Sequence, residues 1–244
     1  MPINYVAKKE IPYTIDWNRL FDTLNQYQFF KKKSIQEKFL LSWKERIIVS
    51  EKKSYEEINK IDLTTTEHFP IRILFGSCFI AWCAIHIDNV EKCIFQHQLN
   101  PITIDLSWFL SEHLYLSKNQ QKLFSTEQIL YSVTNTYSNF SYIPILIFSP
   151  TFHYPYRRVI DGNHRVEFAI KNGGKYLQAY ALTEHFFSEN PNSFLDSFSR
   201  DIFLFLCDMN YFYDNCNNRR NWKNKILGKS EYHQFLYNSY IAQS

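Results

Sequence analysis

Apolar positions mark out the elements of this chain. Trp17, Leu20, Phe21 and Leu24 recur at helical spacing behind Asp16, a capping residue. Phe39, Leu40, Trp43 and Ile47 repeat that spacing behind Ser34-Ile35-Gln36-Glu37, which has the form of a capping box. Ser54-Tyr55-Glu56-Glu57 has the same form, so the first ninety residues read as helical. Phe69 to Ile87 is apolar, with Gly76 and Ser77 inside it and Arg72 and His86 bracketing Ile73 to Ile85. Those thirteen residues are too few to span a bilayer, and a buried helix is expected instead.

The middle of the chain changes period. Pro101 to Asp105 reads as a strand, followed by Leu106 to Leu116 with Trp108, Phe109, Leu110 and Leu114 apolar. Tyr142 to Phe148 reads as a buried strand, in which Pro144 marks an edge position or a strand start. Ser149 to Pro155 is a turn, and Tyr156 to Ile160 returns as its hairpin partner. Val166, Ala169 and Ile170 make a helical stripe that Asn172-Gly173-Gly174 ends. Leu177, Ala179 and Ala181 then alternate with Tyr176, Gln178 and Tyr180 as a strand. Residues 142–183 are thus predicted to run strand, hairpin strand, helix, strand. Phe194 to Met209 reads as a helix and Asn215 to Lys225 as a basic, polar loop.

Composition narrows the class. At 244 residues the chain can bury a proper core, and 45% hydrophobic with 21% charged residues is a globular balance. A formal charge of +3 is too small to imply nucleic acid by itself. The five cysteines are odd in number and lack the close pairs that hold zinc, so a cytoplasmic chain with no cysteine-bound metal is expected. Met1 to Tyr13 has no apolar core of the secretory type.

The richest candidate chemistry lies in Asp161-Gly162-Asn163-His164-Arg165, between the strand of Arg158 to Ile160 and the helix that follows. Glycine there permits a positive φ and close approach of a ligand. The next amides leave a helix N-terminus, where the dipole favours an anion. Arg165 can fork onto phosphate oxygens, and His164 can donate or carry a proton. The competing reading is a plain Asp-Gly turn with a solvated arginine.

The run Val159 to Leu182 resembles the core of the ParB/sulfiredoxin superfamily, whose members carry a strand, a [DG]-G-x-[HR]-R turn and a helix. The resemblance extends from about Leu99 to Thr183, specific at the turn and loose elsewhere. It implies an α/β fold: a small mixed-sheet core over residues 96–186, between mainly helical extensions at 1–95 and 187–244. It also implies a nucleotide or phosphate site formed by Gly162, Asn163, His164 and Arg165, with ATP or another nucleoside triphosphate and Mg²⁺ as cofactors. The free-serine kinase branch places a carboxylate after the first strand as base for the acceptor hydroxyl. Glu112 is the candidate for that role here, with Asp105 second, while Asp161 would orient His164 or a metal-bound water. Sulfiredoxins carry cysteine immediately before the His-Arg pair. Asn163 stands there instead, and an amide is no nucleophile.

The expectation is therefore a Mg²⁺-dependent phosphotransferase or nucleoside triphosphatase acting on an unidentified small-molecule acceptor, with no membrane involvement. The alternative is a DNA-associated binding protein or ParB-like nuclease of a plasmid, phage or defence system. Arg219, Arg220, Lys223 and Lys225 could then contact phosphates. Neither the helix-turn-helix nor the arginine-rich clamp of ParB proper is evident.

Overall fold

The computed structural model describes residues 6–7, 15–30, 32–75, 79–107, 109, 129–130, 143–150 and 157–216. The chain is mixed α/β and divides into two compact units: residues 1–11, 60–71 and 84–195, and residues 12–59, 72–83 and 196–244. No helix among the described residues is long and apolar enough to cross a membrane.

The first unit is built on a four-stranded sheet. Its strands are β4 (Ile102–Asp105), β6 (Ile145–Phe148), β7 (Arg158–Asp161) and β8 (Tyr176–Leu182), in the order β4-β8-β6-β7. β6 runs parallel to β8, and the edge strands β4 and β7 run antiparallel to their neighbours. The sheet is therefore mixed. Pro144 sits just before β6, an interior strand, which is the strand-start alternative; a proline within that strand would remove a ladder bond. A separate pair joins β1 (Val6–Ala7) to β5 (Ile129–Leu130).

Helix α4 (Asn163–Lys171) covers one face of the sheet. Val166, with Ala169 and Ile170, packs on Ile104, Ile145, Ile147, Val159, Leu177 and Ala179. The helix ends as its sequence suggests: Gly173 takes φ +69°, and the Gly174 amide donates to the Ala169 carbonyl at 2.8 Å. Phe148 meets Phe187 on α5 (Glu184–Glu189), and Phe187 in turn meets Phe194. The predicted order over 142–183 is the observed one.

The hydrophobic run at 69–87 is a correction. It forms two paired strands, β2 (His68–Phe75) and β3 (Phe79–His86), followed directly by α3 (Ile87–Gln96). Phe69, Ile71, Ile73 and Phe75 are all buried, a period of two. Pro70 lies between them, where a helix interior would lose a hydrogen bond and meet a clash. The hairpin gives residues 68–71 and 84–86 to the first unit and 72–75 and 79–83 to the second.

The second unit holds α1 (Trp17–Leu24), α2 (Lys33–Ile58) and α6 (Ser197–Cys216). Asp16 caps α1 by accepting from the Arg19 amide at 3.0 Å. Neither capping box forms. α2 begins at Lys33 behind Lys32, with no side-chain cap, so Ser34 lies inside the helix, and Gln36 faces backward. Its Oε1 accepts from the Phe29 amide at 2.9 Å and its Nε2 donates to the Tyr27 carbonyl at 2.8 Å, so it staples the α1–α2 turn. Ser54 lies inside α2 and its hydroxyl donates back to the Glu51 carbonyl. Aromatic rings fill the core here, including Phe21 on Phe205 at 5.3 Å and Phe30 on Phe212 at 4.6 Å.

Candidate functional site

The strand-to-helix corner of the first unit is set by Gly162. It takes φ +93° between Asp161, the last residue of β7, and Asn163, the first of α4. That conformation is left-handed, and a side chain is also excluded sterically. A Cβ at Gly162 would collide with Ile145 Cγ2 and sit 2.9 Å from Arg165 Nε. Backbone angle and packing together demand glycine. The Val166 amide donates to the Gly162 carbonyl at 3.0 Å, so the helix begins immediately.

Arg165 closes the corner. Its Nη2 pairs with Asp161 Oδ2, and its Nη1 donates to the carbonyls of Ile143 and Pro144, each at 3.1 Å. Both charged side chains are largely buried, at 12% and 9% exposed. The arginine thus ties the end of β7 to the start of β6. Asn163 is buried and His164 half-buried at the head of α4.

Other carboxylates gather around this pair. The Glu67 carbonyl accepts the Ile87 amide at 2.9 Å, which holds Glu67 beside the start of α3. Partial burial, then the charges of Asp161, Asp88 and Glu91, push the Glu67 carboxyl up to about 7. Glu91 is also raised, by desolvation and then by Asp161 and Asp88, with Arg165 opposing. His86 precedes α3 with Nδ1 at 3.8 Å from Asp88 Oδ2, and desolvation lowers its pKa. One guanidinium therefore faces an excess of negative charge. Among the described residues, no group of three or more His, Cys, Asp or Glu side chains could hold a metal ion by itself.

The five residues Asp161 to Arg165 thus come together at one corner, with Asp161 and Arg165 paired. Glu112 lies outside the described residues, as do Arg219, Arg220, Lys223 and Lys225. Asp105 pairs with Tyr176 at the start of β8, whereas Asp161 pairs with Leu146 and lies level with Tyr180, so the two are three strands and four residues of register apart, about 20 Å. The Asp105 carboxylate accepts the Ser107 amide at 2.8 Å, and that bond holds its pKa below the usual range, making it a weaker base. Sequence reasoning missed Glu67, Asp88 and Glu91. They stand far from the motif along the chain, and only the hairpin-to-α3 connection brings them to it. Glu67, a polar residue directly before a strand of period two, is the one local signal.

Comparison with protein-family models, with curated proteins and with solved structures gives no match.

Proposed function

We propose that the chain binds a nucleoside triphosphate with Mg²⁺ at the Asp161–Arg165 corner and transfers or hydrolyses its terminal phosphate. The observation that carries this reading is left-handed Gly162 joining β7 directly to α4. A strand, a glycine corner and a helix start direct backbone amides and a positive dipole end toward an anion. The ParB/sulfiredoxin-like motif and the β6, β7, α4, β8 succession support assigning the core to that fold type.

The surrounding charge makes the cation essential to the reading. A bare triphosphate would be repelled by Asp161, Glu67, Asp88 and Glu91. Carboxylate oxygens are the hard donors that Mg²⁺ prefers, and it is commonly held by one or two of them together with substrate phosphates. Asp161 and Glu67 fit that demand, and a dication would offset both the burial and the neighbouring carboxylates that raise the Glu67 carboxyl. Bound there, Mg²⁺ would supply charge neutralisation for the phosphates.

Within this reading the amides of residues 162–165 cradle a phosphate. His164 holds a phosphate oxygen or carries a proton. Arg165, already committed to Asp161 and two carbonyls, contributes mainly a fixed corner and a positive field. Glu112 remains the proposed base for an acceptor hydroxyl.

Thermal unfolding of the full chain with ATP, GTP or CTP, each with and without Mg²⁺, tests this. A Mg²⁺–nucleotide pair is expected to raise the melting temperature where nucleotide alone does not. No shift with any saturating pair would count against the reading.

A further inference from the structure

The mixed sheet of the first unit has two edges, and they are built differently. β7 carries a bulge: Asp161 and Val159 pair with the consecutive residues Leu146 and Ile147, which leaves Ile160 as the extra residue. Arg158 adds a charge to the same strand. Bulges and basic side chains are common means of keeping an edge from pairing with another chain. β4 has neither. Its residues, Ile102-Thr103-Ile104-Asp105, pair with β8 in unbroken register, and Ile102 is 49% exposed.

The ladder fixes which backbone groups of β4 face outward. The Leu106 amide donates to the Lys175 carbonyl at 2.9 Å, continuing the β4–β8 register by one step. Bonded and non-bonded pairs alternate along an antiparallel ladder. Leu106, Ile104 and Ile102 therefore bond β8, while the N–H and C=O groups of Thr103 and Asp105 turn away from it. No strand lies on that side among the described residues. The side chains alternate too: Ile104 is in the core, and Thr103 and Asp105 are exposed on the opposite face.

We propose that this edge pairs with β4 of a second copy of the chain, joining two four-stranded sheets into one across a two-fold axis at Ile104. The strand is complementary to itself in that register. Thr103 of each copy stands opposite Asp105 of the other, so the outward N–H and C=O groups of both are satisfied. Gln178 Nε2 donates to Thr103 Oγ1 at 2.9 Å, which leaves the threonine hydroxyl to donate to the facing Asp105 carboxylate. Like charges are not opposed. Ile104 faces its own copy, and Ile102 falls level with Leu106 on the same apolar face.

Sedimentation velocity of the full chain over about 1–100 µM tests this, with amide hydrogen exchange read at Thr103 and Asp105. A monomer–dimer equilibrium is expected, and those two amides should exchange more slowly as the dimer fills. Ile102→Lys puts a charge into the pairing, and Thr103→Pro removes an outward N–H without touching the β4–β8 ladder. Each should raise the dimer Kd about tenfold or more. Ile102 is already half exposed, so Ile102→Lys provides the test even if Thr103→Pro disturbs β4. Three results overturn the proposal: a chain that stays monomeric to about 100 µM, a dimer whose Thr103 and Asp105 amides exchange as fast as the monomer's, or an unchanged Kd in Ile102→Lys at its native melting temperature.

Discussion

Two carboxyl groups, one in each unit, are raised to near neutrality, both chiefly by burial, but their neighbours act in opposite directions. Asp208 on α6 is fully buried, and burial pushes it up to about 8. Its charged neighbour Arg46 and its hydrogen-bond donor, Trp43 Nε1 at 3.1 Å, both oppose the rise. Glu67 is only partly buried, and its neighbours Asp161, Asp88 and Glu91 add to the rise, up to about 7. In the helical unit the charged and polar neighbours thus favour the ionised acid, although Asp208 Oδ1 has no hydrogen-bond partner among the described residues, and Asp201 has two arginines. The sheet unit does the opposite. It collects carboxylates around one arginine at the corner where its motif lies. An environment that opposes its own ionisable group is costly for stability, and costly arrangements of this kind concentrate at functional sites.

The largest expected effect concerns the corner itself. Gly162→Ala should destabilise by about 2–5 kcal/mol in urea unfolding, since it combines a left-handed backbone with overpacking against Ile145. Gly173→Ala is the control. It shares a positive φ but has nothing within 4 Å of a new Cβ, so about 1–2 kcal/mol is expected. Equal losses at the two sites would show that the corner is not tightly packed.

The helical unit gives the next effect. Asp208 keeps its proton in the folded state after the unfolded chain has released it, so its contribution to stability falls as pH rises from about 4 to about 8. Asp208→Asn can retain an acceptor for Trp43 Nε1. It should remove that fall and leave the variant about 2–3 kcal/mol more stable than the parent near pH 8. A parent and variant with parallel stability profiles would exclude a buried neutral acid there.

Glu67→Gln should act the same way, more weakly and over a lower window. The native state holds this proton between about 4.5 and 7, so stability falls through that range and is restored in the variant. Because the group is partly solvated, about 1 kcal/mol is expected at pH 8. Repeating the titration with Asp161→Asn should shrink the Glu67 effect if like charge contributes to the rise. No change would remove Asp161 from the causes of the shift and weaken the contrast between the two units.

Much of the first unit's sheet was legible because its signals are local. Asp-Gly before a helical stripe gave the corner, Asn172-Gly173-Gly174 gave the stop, and alternation over 176–182 gave β8. The hairpin at 68–86 is not legible from its apolar run, which fits a buried helix as well as a buried strand, and Pro70 is the one residue in it that argues against a helix. Ser34 and Glu37 match a capping pattern, but α2 starts at Lys33, which puts Ser34 inside the helix rather than at its N-cap. At the site, Asp161 to Arg165 could be read because they are contiguous. The partner of Arg165 is local as well, four residues back. Its two carbonyl acceptors before β6 and the carboxylates from 67, 88 and 91 depend on tertiary pairing, which no local pattern records.

The central claim is that the Asp161–Arg165 corner takes a nucleotide only together with a divalent cation. Calorimetric titration of ATP into the full chain, with Mg²⁺ and then with a chelator, tests it most directly, alongside His164→Gln. The account predicts binding with Mg²⁺, none with the chelator, and a Kd raised about tenfold in His164→Gln. Absence of binding with Mg²⁺, equal affinity under the chelator, or full affinity in His164→Gln would contradict it.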